Sequence, residues 1–324
     1  MLSKNRNLLL IIILVVAVGV YFITRQQAKN ESNYKTVLFE YDTATIDQIQ
    51  VIPPGDQSGF VISKVGNRWE LQADGKKFTA DPKIVKRNLE LLNGIKVKRI
   101  ASRNAEDHEG YAITPEKRTR IALSSDGKTK GSLLLGKFDY FQPQNAQPDP
   151  YGRQPQGEMV FYAALPDDPT VYVVDGQVGF GIGKEVNAFR DKTIVNLDKT
   201  KIRQVDLTTS NDQPEKLILE NGSWQLNGQV ADSAKMVQYL SKISRQNGSA
   251  FSDFLQVNQL PLEKSVTIAG EGFSDVVINA YRKDSLMLLL NSSQNPEAVF
   301  EDKDGKILER FTSIETLLQG SENK

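Results

Sequence analysis

The chain opens on an unbroken apolar run, LLLIIILVVAVGVYFI from Leu8 to Ile23, without charge or proline. A buried core helix keeps a polar stripe at helical period; this run has none and predicts a membrane-spanning helix. It is slightly shorter than the ~20 residues that cross a bilayer comfortably. Lys4, Arg6 and Arg25 can snorkel at its ends, and Tyr21 and Phe22 suit an interface. Beyond the run the apolar period changes to two, interrupted twice by a period near 3.6. Alternating stretches at IDQIQV (Ile46 to Val51) and FVISKVGNRWEL (Phe60 to Leu71) predict strands, with a hairpin turn at Gly66-Asn67. TADPKIVKRNLELLNGI (Thr79 to Ile95) then predicts a helix: Asp81 is placed as N-cap, Pro82 stands at the first helical position, and Ile84, Val85, Leu89 and Leu92 share one face.

The same succession returns. IRQVDL (Ile202 to Leu207), LILENGSWQL (Leu217 to Leu226, turning at Asn221-Gly222) and VADSAKMVQYLSKI (Val230 to Ile243) match the first set in order, spacing and type. Trp69 and Trp224, the only tryptophans, hold equivalent places and are expected to fill the interface between sheet and helix. A fainter echo pairs Arg120 to Leu123, Gly131 to Leu135, Met159 to Ala163 and Val171 to Val174 with Ser265 to Ile268, Val276 to Ala280, Leu286 to Leu290 and Ala298 to Glu301. The fold class expected is α+β: an N-terminal transmembrane helix followed by two tandem repeats of antiparallel sheet with a packed amphipathic helix. The expected domains are an anchor and tether over 1–30, a first repeat over 36–198 and a second over 199–320.

Composition narrows the function classes. Lys plus Arg equals Asp plus Glu at 40 each, which leaves no basic field for nucleic acid. The absence of cysteine excludes disulfides, thiolate metal sites and a cysteine nucleophile. A short cationic stub before the apolar run favours the signal-anchor orientation, a single pass of the inner membrane with the C-terminal part in the periplasm. Ala17 and Gly19 also offer the small-x-small pattern of a signal-peptidase site, but the run continues through Ile23 without a break, which favours an uncleaved anchor.

RWEL at Arg68, TADPKIVKRNLELLNGI at Thr79, EGYAITPEKRTRIALSSDGKTKGSLLLGK at Glu109, MVFYAAL at Met159, VYVVD at Val171 and NAFRDKTIVNLD at Asn187 follow in a succession that resembles the domain-of-unknown-function family four-three-four-zero. The resemblance runs over Trp69 to Leu197, more faintly through the second repeat, and is most specific at Phe189-Arg190-Asp191-Lys192. It implies a membrane-anchored protein of the kind often encoded beside ABC transporter subunits of the gliding-motility type. It brings no catalytic residues. Where that family reads Gly-Leu before a proline this chain has Tyr111-Ala112-Ile113-Thr114-Pro115, a departure that touches a turn.

Candidate chemistry is sparse. His108, the sole histidine, lies in Glu106-Asp107-His108-Glu109; consecutive loop residues point apart, so a solvated loop is expected over a metal site. Gly176 to Lys184 (GQVGFGIGK) follows a strand but lacks the phosphate-loop spacing, and reads as a flexible turn leading into a helix that ends at Phe189. Asp167-Asp168 and Asp302/Asp304 read as turn formers. Arg190 lies between apolar neighbours, either a partner contact or an ion pair at the junction of the repeats. The stretch Asp139 to Glu158 (DYFQPQNAQPDPYGRQPQGE) is too long for a hairpin loop and too polar for a core, and Tyr140, Phe141 and Tyr151 make it a candidate docking segment. No catalytic residue, cofactor or metal ligand is assigned. The function expected is a non-enzymatic, extracytoplasmic accessory or scaffold subunit of an envelope complex, with ABC-type transporter subunits as partners; the alternative is a periplasmic ligand-binding receptor or hydrolase.

Overall fold

The computed structural model describes residues 35–55, 58–142, 157–209, 213–252 and 256–318. Alternating burial along the short apolar runs makes most of them strands. In chain order the first are β1 (Gln48–Ile52), β2 (Phe60–Val65), β3 (Arg68–Ala73) and β4 (Lys76–Ala80). Helix α1 (Pro82–Leu92) follows, then β5 (Val97–Ser102), β6 (Thr119–Ser125), β7 (Lys128–Phe141), β8 (Glu158–Ala164) and β9 (Val171–Asp175). Two short helices, α2 (Gly176–Gly181) and α3 (Val186–Phe189), lead to β10 (Thr193–Asn196). The second series is β11 (Ile202–Thr209), β12 (Glu215–Glu220), β13 (Ser223–Leu226), β14 (Gln229–Val230) and helix α4 (Ser233–Ile243). It continues with β15 (Arg245–Asn247), β16 (Ala250–Phe251), β17 (Leu262–Gly270), β18 (Val276–Arg282), β19 (Met287–Ser292), β20 (Asn295–Lys303) and helix α5 (Lys306–Thr312).

The duplication is written in the topology. One nine-stranded sheet runs β4-β3-β2-β1-β6-β7-β8-β9-β5 and the other β14-β13-β12-β11-β17-β18-β19-β20-β16, the same order strand for strand. Each copy is prefaced by an aspartate-capped 3-10 turn: Asp42 accepts from the Ala44 N–H at 2.9 Å before β1, and Asp198 from the Thr200 N–H at 3.0 Å before β11. The repeat starts earlier than its strands suggest. Leu38 donates its N–H to the Ile95 carbonyl and Leu197 its own to the Ser244 carbonyl, so the segments just before Asp42 and Asp198 already belong to their copies. The hairpins β3–β4 and β13–β14 turn on Asp74-Gly75 and Asn227-Gly228, where both residues of each pair take positive φ, the conformation that a two-residue turn between twisted strands requires.

The α+β expectation is corrected. The fold is mostly β: each series holds nine sheet strands, and among the described residues the longest helices, α1 and α4, have eleven residues each. Both helices stand where the periodicity predicts, but of the face expected for the second, Met236, Val237, Leu240 and Ile243, Val237 is exposed and Tyr239 is buried instead. Strands β4, β5, β14 and β16 escaped, the last two because they are two residues long and β4 and β5 because their burial does not alternate. The expected membrane helix, Leu8 to Ile23, lies outside the described residues, and among these no helix is long and apolar enough to cross a membrane.

The described residues pack as two compact units, one comprising those up to Val61 together with Lys86–Lys184, the other Ile62–Val85 together with Glu185–Lys324. The core of the second gathers Val205, Ile268, Ile278 and Leu290 from its sheet with Met236 and Ile243 of α4 and Phe311 of α5. Trp224 packs against this core but is only half-buried, as is Trp69, so neither ring is the deeply buried wedge that the strand pattern implies. Their settings do correspond: Trp69 is the cross-strand partner of Ala80, and the Trp224 carbonyl accepts from Ala231 at 2.8 Å.

Candidate functional site

The richest concentration of exposed apolar side chains lies at one end of the β7–β8 pair in the first unit. Strand β7 pairs with β6 only as far as Leu135, then runs on alongside β8 with Phe138 opposite Phe161, Tyr140 opposite Met159 and Phe141 opposite Glu158. Alternation along the strand puts Phe138 and Tyr140 on one face with Phe161 and Met159, and Phe141 on the other. The expected loop Asp139 to Glu158 is thereby corrected at its ends: Tyr140 and Phe141 are strand residues, and Glu158 opens the partner strand. Tyr151 lies outside the described residues.

Helix α2 completes the first face. Its glycines replace the expected flexible turn with a close-packed helix: a Cβ at Gly179 would lie 2.2 Å from the Phe161 ring, and one at Gly176 2.8 Å from the Met159 Cβ. Asp175 caps the helix by accepting from the Gln177 N–H at 2.9 Å. Pressed onto β8 in this way, α2 lifts Phe180 into a ring cluster, 5.1 Å from Phe138 and 5.0 Å, edge-on, from Phe161. Phe180 is 59% exposed, Met159 52%, Tyr140 51%, Phe138 41% and Phe141 37%. Lys184 closes the face with its ammonium 4.7 Å from the centre of the Phe161 ring, and burial holds its pKa below the ordinary lysine value.

On the opposite face the charges are spoken for. Lys98 reaches Glu158 at 2.8 Å and Asp175 at 2.9 Å; the hydrogen bond to Glu158, then that to Asp175, holds the lysine pKa up, and the same contacts hold both carboxyls down. Arg99 contacts Glu158 at 3.2 Å and lies 4.3 Å over the Phe141 ring. Asp139 accepts from the Tyr162 hydroxyl at 2.8 Å, which keeps the aspartate low, while burial first and this bond second push the tyrosine well up.

The other sequence candidates are placed apart from this surface. Arg190 is buried, 5% exposed, its guanidinium held between the rings of Phe78 at 4.1 Å and Phe251 at 3.7 Å, with one nitrogen donating to Asn187 at 3.2 Å. It is a buried group, not one exposed to a partner. His108 contacts the Pro169 carbonyl at 2.9 Å, and its acidic neighbours turn away, Asp107 to Ser102 and Glu109 to Lys117. Among the described residues no group of three His, Asp or Glu side chains is placed to hold a metal ion. Asp168 accepts from Thr170 and Tyr172, a turn role as expected, whereas the Asp302 carboxylate is a buried cap that accepts from Ile307 and Leu308, not the expected turn former. Two polar clefts of about 600 and 590 Å³ flank the β10–β15 ribbon, but Asp81, Asp191 and Asp198 in their walls each close a turn by accepting a backbone N–H.

Sequence reasoning found Tyr140 and Phe141 and missed Phe138, Met159, Phe180 and Lys184. The signal available for Phe180 was the Gly176/Gly179 spacing, which is that of one helix face.

Comparison with known proteins agrees with the resemblance read from the sequence. Residues 151–264 match the family described as Domain of unknown function (DUF4340), less than half of the chain. The match overlaps the expected Trp69 to Leu197 only in its last part and extends further into the second repeat, spanning β8 to the start of β17. No curated protein and no solved structure matches the chain.

Proposed function

We propose that this protein is a membrane-attached, extracytoplasmic scaffold subunit of an envelope complex, and that it holds a protein partner on the aromatic face of β7, β8 and α2. The observation that carries the reading is the clustering there of four large, exposed apolar side chains, Phe138, Tyr140, Met159 and Phe180. Scattered exposed apolar residues need no explanation, but a contiguous patch rimmed by charge marks an interaction surface, and aromatic anchors dominate protein interfaces. Attachment through Leu8 to Ile23 rests on the apolar run and its flanking cations, a single pass with the C-terminal part in the periplasm of the inner membrane. An ABC-type transporter of the gliding kind is the complex in view, on the family resemblance.

The test is partner recovery from solubilised membranes. Phe138→Ser with Phe180→Ser should leave the far-UV spectrum and membrane attachment unchanged and lower recovery of the co-purifying transporter subunits by at least about tenfold, the scale of losing one good anchor. Undiminished recovery would remove the surface from the proposal. A reporter joined at Lys324 that is active only on the cytoplasmic side would overturn the orientation.

A further inference from the structure

We infer that the partner meets this aromatic face with an acidic segment, placing a carboxylate on the Lys184 ammonium and an apolar side chain against the exposed rings of Phe138 and Phe180; the inference rests on the docking reading above. On the opposite face, Lys98 and Arg99 are accounted for within the chain. Lys98 is shared by Glu158 and Asp175, and Arg99 is taken by Glu158 and stacked on Phe141. Lys184 differs. Among the described residues no carboxylate lies within ion-pair distance of it, and its neighbour in the aromatic cluster is the ring of Phe161.

The physics of that setting selects the occupant. A half-buried ammonium over a ring has given up part of its hydration, and the face of one phenyl ring returns only a fraction of it. Covering the patch with a purely apolar surface would strip the remaining water and leave the charge buried and unanswered, which opposes binding. A basic segment adds repulsion to the same loss. A carboxylate arriving with the apolar side chain answers the charge as it is desolvated, a charge-assisted bond of N–H donor to carboxylate acceptor. Phe138 and Phe180 stand 5.1 Å apart at centroid, and together with Phe161 they offer ring edges and faces to an aromatic or aliphatic residue beside that acid.

The experiment uses the full-length chain in detergent micelles with two defined probes, N-acetylphenylalanine, which carries ring and carboxylate, and N-acetylphenylalaninamide, which carries the ring alone. Binding is followed by NMR of labelled lysine and phenylalanine side chains. The expected result is at least about tenfold tighter binding of the carboxylate probe, with shifts at Lys184, Phe138 and Phe180. That preference should be lost in Lys184→Met and kept in Lys184→Arg. Equal affinity for the two probes, or a preference that survives in Lys184→Met, overturns the acidic assignment while leaving the docking reading to the Phe138/Phe180 recovery assay. Binding of neither probe overturns it as well. Loss of discrimination together with binding of phosphatidylglycerol vesicles reassigns the face to a lipid surface and overturns both.

Discussion

At the scale of single residues, two cations set against rings make opposite commitments. Lys184 is half-buried, and burial makes its folded form release the proton at lower pH than the unfolded chain does. Between that lowered value and the ordinary lysine value of about 10.4, the unfolded state binds more protons than the folded one, so stability rises with pH across the window. Lys184→Met removes this titration. Urea unfolding of both forms from about pH 8 to 11 should show the parent chain gaining on the variant as pH rises; parallel curves would mean that the ammonium is fully hydrated in the folded state. Arg190 is the reverse case, a buried cation whose plane is matched by Phe78 and Phe251. A lysine offers a point charge without the planar face, so Arg190→Lys should destabilise the chain by about 1 to 3 kcal/mol, read from the denaturation midpoint at constant m. Neither setting was visible in the sequence, because each depends on rings brought from distant strands: Phe78 is 112 positions before Arg190 and Phe251 is 61 after it. What was visible was local, such as the acid of the turn at Asp168.

At the scale of elements, helix α2 is where local reading failed for a physical reason. Glycine is the poorest helix former after proline, so GQVGFG reads as a turn. Tertiary packing overrides the propensity, since only glycine lets a helix backbone lie against Met159 and Phe161. Gly179→Ala tests this: helix propensity alone would make it favourable by nearly 1 kcal/mol, whereas overpacking against the Phe161 ring should make it unfavourable by about 1 to 3 kcal/mol. A stabilised variant would show that α2 can slide without cost, and the position of Phe180 would then be adaptable. Helices α1 and α4 were legible because their faces follow helical period and their caps stand in sequence; Asp232 accepts from both Ala234 and Lys235. Helix α5 was not, because its cap comes from the preceding strand. Asp302 is 1% exposed and accepts from the Ile307 and Leu308 N–H groups at 2.8 Å each. Asp302→Ala would leave two buried donors unanswered and should cost about 2 to 4 kcal/mol, measured by urea unfolding.

At the scale of the molecule, the duplication was legible because both copies retain the tryptophan, the turn and the capped helix, yet repeat boundaries and compact units do not coincide. The sequence divides the chain near residue 198, whereas Ile62–Val85 packs with Glu185–Lys324. The reason lies in long-range backbone and side-chain contacts that no periodicity reports. The Phe189 carbonyl accepts from Asp81 at 2.8 Å, Asp191 donates its N–H to Thr79 at 2.9 Å, the Thr79 hydroxyl donates to Glu297 at 3.1 Å, and the Phe78 ring covers Arg190. The second copy closes in the corresponding way through its own tail, since Asp232 donates to the Leu317 carbonyl at 2.8 Å and Ala231 bridges Leu318. Cutting the gene after residue 198 therefore removes from the second piece both Arg190 and the arm that covers it, although every strand of the β11–β20 sheet is retained. A fragment of residues 199–324 should keep the nine-stranded sheet, read by circular dichroism, without the β10–β15 ribbon, but unfold at clearly lower urea than the second unit does in the whole chain. The loss expected is several kcal/mol, from the core losing Ile194, Val195 and Leu197 and β15 losing its partner strand, together with Phe251 losing its guanidinium cover and Glu297 its partner. Arg190→Lys in the whole chain should reproduce part of that loss, because it removes one of the same contacts. If the fragment unfolds at the same denaturant concentration as the intact protein, the repeats are independent and the arm contributes nothing to the second unit.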